Sequence, residues 1–155
     1  MPANPLVETW QIHDRINLYL LDAVDSSSLD SHSASKGRSV GEQFAHIHNV
    51  RLMWLKSAAP DLLVGLAKVA NEQANDKKLL VKSLTDSGAA IGKLLTNSLE
   101  ADGKIKGFKP HAAAFLGYLI SHESHHRGQI ALTLKQAGKP FDKKTGYGMW
   151  EWGVR

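Results

Sequence analysis

There is no cysteine among the 155 residues of the chain. That removes disulfide frameworks, thiolate zinc fingers and a cysteine nucleophile together, and it fits a reducing compartment. A chain of this length buries a sizeable core without covalent staples. Long apolar runs are missing as well. The N-terminal MPANPLVETWQIHDR has no basic start followed by an uninterrupted apolar stretch, so neither a signal peptide nor a membrane-spanning segment is expected. The expectation is a soluble, cytoplasmic protein forming one domain over residues 1–155. No segment alternates apolar and polar residues over strand length, and no internal repeat occurs. We expect no nucleophile elbow and no phosphate-binding loop.

Charge is present but dispersed. The net charge is +4, with six Lys/Arg against eight Asp/Glu in residues 1–74 and thirteen against seven in 75–155. A nucleic-acid binder concentrates such an excess on one face with base-reading side chains among it. Here Lys77, Lys78 and Lys82 lie in one segment, Lys104, Lys106 and Lys109 in another, and Lys143 and Lys144 near the end. Neither a nucleic-acid nor a membrane partner is expected.

What the chain does have is helical periodicity. Asn4-Pro5 is a helix start, a capping side chain followed by proline at the first helical position. From there Leu6, Trp10, Leu20, Leu21 and Val24 share one side of a 3.6-residue wheel, until DSSSLDSHSASKGR opens a loop at Asp25. Ser39 and Glu42 form a capping box ahead of a second helix with Val40, Phe44, Ile47, Val50, Trp54, Leu55 and Ala58 inward. Pro60 closes it. Residues 60–75 read as a crossover with a short helix from Asp61 to Ala70. A third helix is expected from Asp76 to Ala101, with Gly88 and Gly92 as weak points. A fourth starts at Pro110 and runs through Lys135 to a Gly138 stop. The class is all-α, a four-helix bundle with a long crossover between helices 2 and 3. The tail YGMWEWGVR is expected to fold back on the bundle or onto a partner, because a free Trp150 and Trp152 would leave a large apolar patch.

Three histidines crowd SHESHHRGQI, residues 121–130. Ala112, Phe115, Leu119, Ile130 and Thr133 form the inner stripe of the fourth helix, and His122 and His126 fall on it. Four residues apart, they stack one turn above the other, as two imidazoles do when a helix presents them to one ion. The letters His122-Glu123-Ser124-His125-His126 also spell the zinc-protease signature H-E-x-x-H. That signature needs a third ligand downstream, where no histidine follows and the only glutamate is Glu151. Glu123 is expected to angle away from the apolar stripe, so the match reads as coincidence. A third ligand is available upstream, in FAHIHNVR, where His46 and His48 flank the apolar face on opposite sides and wheel geometry does not separate them. His125, Gln129 and Tyr118 are further candidates around the site. On the first helix, His13 and Asn17 fall on the apolar stripe. We expect them to line the same pocket; the alternative is a polar layer of the bundle.

GEQFAHIHNVRLMWL, followed far downstream by HESHHRGQIALTLKQAG, resembles the DinB/YfiT-like family of bacterial four-helix bundles across nearly the whole chain. The resemblance implies a divalent metal, zinc or nickel most often, held by three histidines. By position these are His46, which precedes an isoleucine and stands eight residues before Trp54, with His122 and His126. It implies a homodimer and a small-molecule substrate. Some relatives are implied to be S-transferases or isomerases that use low-molecular-weight thiols; hydrolysis of a small substrate and a non-enzymatic metal-binding or stress-response role are the alternatives. The family pattern often has an acidic residue five positions after the first ligand, where this chain has Arg51.

Overall fold

The computed structural model describes residues 2–155; Met1, the first residue of the span expected to form one domain, lies outside them. Four long helices carry the fold: α1 (Pro5–Ala23), α2 (Val40–Ala58), α3 (Lys77–Glu100) and α4 (Ala112–Gln136), followed by a short α5 (Lys143–Gly148). No strand occurs among the described residues. Helices α1 and α2 each pack against both α3 and α4.

The starts of these helices follow local chemistry. Asn4 accepts the Leu6 N–H ahead of Pro5. Ser39 and Glu42 form both halves of the expected capping box. Asp76 caps α3. Two expectations fail at the connections. Helix α4 begins at Ala112 with His111 as its cap, so Pro110 stays outside. The expected helix from Asp61 to Ala70 reduces to one 3-10 turn, Pro60–Leu63. Gly65, at φ +80, turns the chain out of helical geometry, and Asn49 then holds Val69 through both its N–H and its carbonyl.

The interior is layered. One apolar cluster gathers Leu20, Leu21, Phe44, Ile47, Leu84 and Ile130, and another gathers Trp10, Leu55, Ile91, Leu95, Phe115 and Leu119. Between them lies a buried polar layer drawn from all four helices: His13 and Asn17, His48 and Arg51, Ser87, and Glu123 and His126. The two glycines that weaken α3 on paper have a packing role. A Cβ at Gly88 would stand 2.2 Å from Asp14 Oδ2, and the Gly88 carbonyl accepts the Trp10 indole N–H at 2.8 Å. Glycine is what leaves room for the Asp14 carboxylate of α1 against α3.

The tail does fold back, in part. Met149 packs on the first cluster, Arg155 stacks on Tyr19 at 3.8 Å, and Arg15 donates to the Arg155 carbonyl. Trp150 nevertheless stays 80% exposed.

Candidate metal centre

Helices α2 and α4 face each other at the level where the polar layer meets the surface, and there the structure brings His46, His122 and His126 together. One ring nitrogen from each lies within 4.8 Å of the others. The His46 ring centroid is 5.3 Å from that of His122 and 4.6 Å from that of His126. His122 Nε2 and His126 Nε2 stand 3.2 Å apart. Two imidazole nitrogens on one tetrahedral ion, each at about 2.0–2.1 Å, would be separated by about 3.3 Å.

The protonation pattern suits lone-pair donation. His126 Nδ1 is 2.6 Å from Gln43 Oε1; the amide oxygen only accepts, so the ring proton sits on Nδ1 and Nε2 is left with its lone pair. His122 is then the only donor available between the two Nε2 atoms. That leaves its Nδ1 buried with no hydrogen-bond partner, so hydrogen bonding alone does not satisfy the group. Burial pushes the pKa of His46 down to about 4, helped by the nearby Arg38 and then by His122. Burial likewise takes His126 to about 4, with His122 and His46 adding to it, and lowers His122. All three are neutral near pH 7, the form that ligates a cation. The donor set therefore fits a divalent ion.

His48 points elsewhere. Its Nε2–H donates to the Ala67 carbonyl at 2.8 Å, and its Nδ1 lies 3.0 Å from the Ser87 hydroxyl. Two residues along the helix, it faces α3 and the crossover, whereas His46 faces α4.

Two expectations about the surroundings need correction. His13 and Asn17 are completely buried and do not face the histidine group: His13 Nε2 donates to Glu123 Oε1 at 3.0 Å, and Asn17 Nδ2 donates to the same oxygen at 2.8 Å. They form the polar layer. Glu123, expected to angle away from the interior, is also fully buried. Its oxygens accept from Arg51 Nε at 2.9 Å and Nη2 at 2.7 Å, a bidentate pair. Burial raises the Glu123 pKa, but Arg51 outweighs it and, with His13, holds the carboxyl at about 2. Arg51 also lies 2.9 Å from Asp14 Oδ1, though not aligned as a hydrogen bond. Arg127 completes the layer with bonds to His13 Nδ1 and Asn17 Oδ1. Two guanidinium groups meet two carboxylates, so the buried charge balances.

The remaining candidates sit at the rim. His125 is exposed, with its ring 5.1 Å from that of His126. Gln129 is half-buried with an unpartnered Oε1. Tyr118 is 41% exposed and packs on Trp54 and Phe108. Gln43 went unremarked in the sequence. Its position one turn before His46, on the side of α2 that carries Phe44 and Ile47, was the available signal. The letters G-x-S-x-G do occur, at Gly37–Gly41, but no strand precedes them. Ser39 Oγ is the α2 cap, so the stretch is a helix start and not a nucleophile elbow. The H-E-x-x-H letters are likewise accounted for, with Glu123 held by Arg51 on the far side of α4.

An all-helical bundle with three neutral imidazoles grouped on its second and fourth long helices defines a class of protein able to hold a metal ion. A family model described as the DinB family matches residues 1–146, and the chain belongs to that family. No curated protein and no solved structure matches it.

Proposed function

We propose that the protein is a divalent-metal-dependent enzyme in which His46, His122 and His126 hold the ion, zinc or nickel. The observation that carries the reading is the pair of Nε2 atoms 3.2 Å apart, with His126 oriented by Gln43 and His46 alongside. Three protein ligands are the pattern of catalytic sites, where a position stays open for substrate; structural zinc takes four. Such an ion supplies a Lewis acid that favours the anionic form of a coordinated thiol or water. Gln43 fixes the tautomer of His126. Burial keeps all three rings unprotonated, while His46 and His122 stay only half-buried and give substrate access.

Among the chemistries open to such a site we favour transfer or isomerisation assisted by a low-molecular-weight thiol, the activity implied by the family resemblance. Hydrolysis of a small ester or amide is the second reading, supported by the same open ligand position. The two separate in one assay. Zinc- or nickel-loaded protein is given an electrophile such as 1-chloro-2,4-dinitrobenzene, with and without cysteine or glutathione, and p-nitrophenyl acetate in parallel. Thiol-dependent turnover that disappears with a chelator and in His46→Ala supports transfer. Ester cleavage without thiol supports hydrolysis. Failure of both in fully loaded protein would contradict the enzyme reading.

A homodimer is proposed as the assembly. The support is the group of exposed side chains in the tail, Tyr147, Trp150 and Val154, which a second copy would cover.

A further inference from the structure

A cavity beside the histidine group bears on what reaches it. About 270 Å³ in volume, it lies among the loop before α2, the first turns of α2 and the C-terminal half of α4. Gln43 forms part of its wall, and the same side chain accepts the His126 hydrogen bond. Gln129, three residues beyond His126, forms another part, and its Oε1 is buried without a partner. The cavity and the histidines thus share a wall.

Its charge is one-sided. Lys36 and Arg38 line it and no Asp or Glu does. Among the described residues neither cation is paired with a carboxylate. The segment that carries them is held in place: Ala34 N–H donates to Gln136 Oε1 at 2.8 Å, and Ser33 Oγ donates to the Lys36 carbonyl at 2.7 Å. Lys36 itself adopts φ +68, a left-handed conformation that a residue with a Cβ keeps only where its surroundings impose it.

We infer that this cavity is the subsite for an oxyanion group of the substrate, a carboxylate on a small molecule whose other end reaches the three histidines. Arg38 offers the planar fork that matches a carboxylate, and Lys36 adds a point charge. Gln129 also lies on the wall, where an amide N–H can donate to the same oxyanion. The volume lies at the small end of the range for ligand pockets, which suits a short acid. The inference rests on the proposed metal site only for what lies at the other end of the molecule.

The test uses 3-mercaptopropionate and its methyl ester, with acetate and inorganic phosphate as plain anions. Binding is followed by NMR through the side-chain resonances of Arg38, Gln43 and Gln129, on zinc-loaded and on metal-free protein. The acid is expected to bind at least tenfold tighter than the ester, and Arg38→Ala to erase most of that difference. Lys135→Ala, an exposed cation off the cavity wall, should leave it unchanged. Arg38 lies exposed in a loop, and Arg38→Lys, keeping the charge without the fork, should fall between. Equal binding of acid and ester, or a preference indifferent to Arg38, overturns the inference. Phosphate binding tighter than acetate at the same resonances would overturn the carboxylate assignment in favour of a phosphate ester. If zinc is not taken up while the Arg38-dependent preference persists, the metal reading fails and the oxyanion site stands.

Discussion

At the scale of single residues, the decisive contrast is between His46 and His48. They are two positions apart on one helix and have opposite partners. His48 is satisfied by Ala67 and Ser87, so His48→Ala should leave metal stoichiometry unchanged. It should cost about 1–3 kcal/mol of stability, the penalty for leaving buried partners unpaired, read from urea denaturation. Gln43→Leu should do the reverse. Losing the acceptor that orients His126 should weaken metal affinity about 10- to 100-fold, measured by competition with a chromophoric chelator, with the fold retained. Helix periodicity placed both histidines at the edges of the apolar face and could go no further. What separates them is where α3, the crossover and α4 pass, and that depends on contacts distant in the chain.

At the scale of elements, the bundle is held by apolar clusters above and below a charged layer. Arg51 and Glu123 tie α2 to α4 through two parallel hydrogen bonds. Removing one partner strands the other charge, so Arg51→Ala should destabilise by about 3–5 kcal/mol, whereas replacing both with apolar residues of similar size should recover most of that loss. The pH dependence has a definite sign. Glu123 is held at about 2 in the folded state, below its ordinary value of 4.5. Its contribution is therefore fully present above 4.5 and is lost as pH falls from there through about 2. The urea midpoint should drop over that window, and Glu123→Gln should flatten the drop.

Gly88→Ala should destabilise by about 1–3 kcal/mol, because the added methyl meets the Asp14 carboxylate; the denaturation midpoint reads it. The helix starts at Asn4 and Ser39 were legible from capping chemistry alone. The burial of Glu123 was not. The inner stripe of α4 was drawn through its apolar residues, which face α2 and the core. Helix α4 is covered by α1 as well, and the wider buried arc takes in Glu123. Likewise His13 and Asn17 were visible as polar residues on an apolar stripe, but their partners Glu123 and Arg127 lie more than a hundred residues away in sequence.

For the molecule as a whole, no helix among the described residues is long and apolar enough to cross a membrane. The order of four long helices with a long connection after the second was readable from periodicity and punctuation, and family membership agrees with it. The state of the tail was not readable, because its aromatics divide between the bundle and the surface: Met149 is packed inward while Trp150 is exposed. If the proposed dimer covers this surface, light scattering should give twice the mass of one chain, and Trp150→Ser should shift it toward the monomer. A monomer at all working concentrations would remove the dimer.

The central claim is that three histidines on α2 and α4 hold one ion. It is tested most directly by metal content, measured by mass spectrometry on protein purified without a metal-affinity tag. The wild type should be compared with His46→Ala, His48→Ala and His122→Ala. The account predicts about one divalent ion per chain in the wild type and in His48→Ala, and almost none in the other two. No bound ion, and no uptake when zinc or nickel is supplied, would contradict it and leave the three rings as part of the polar layer.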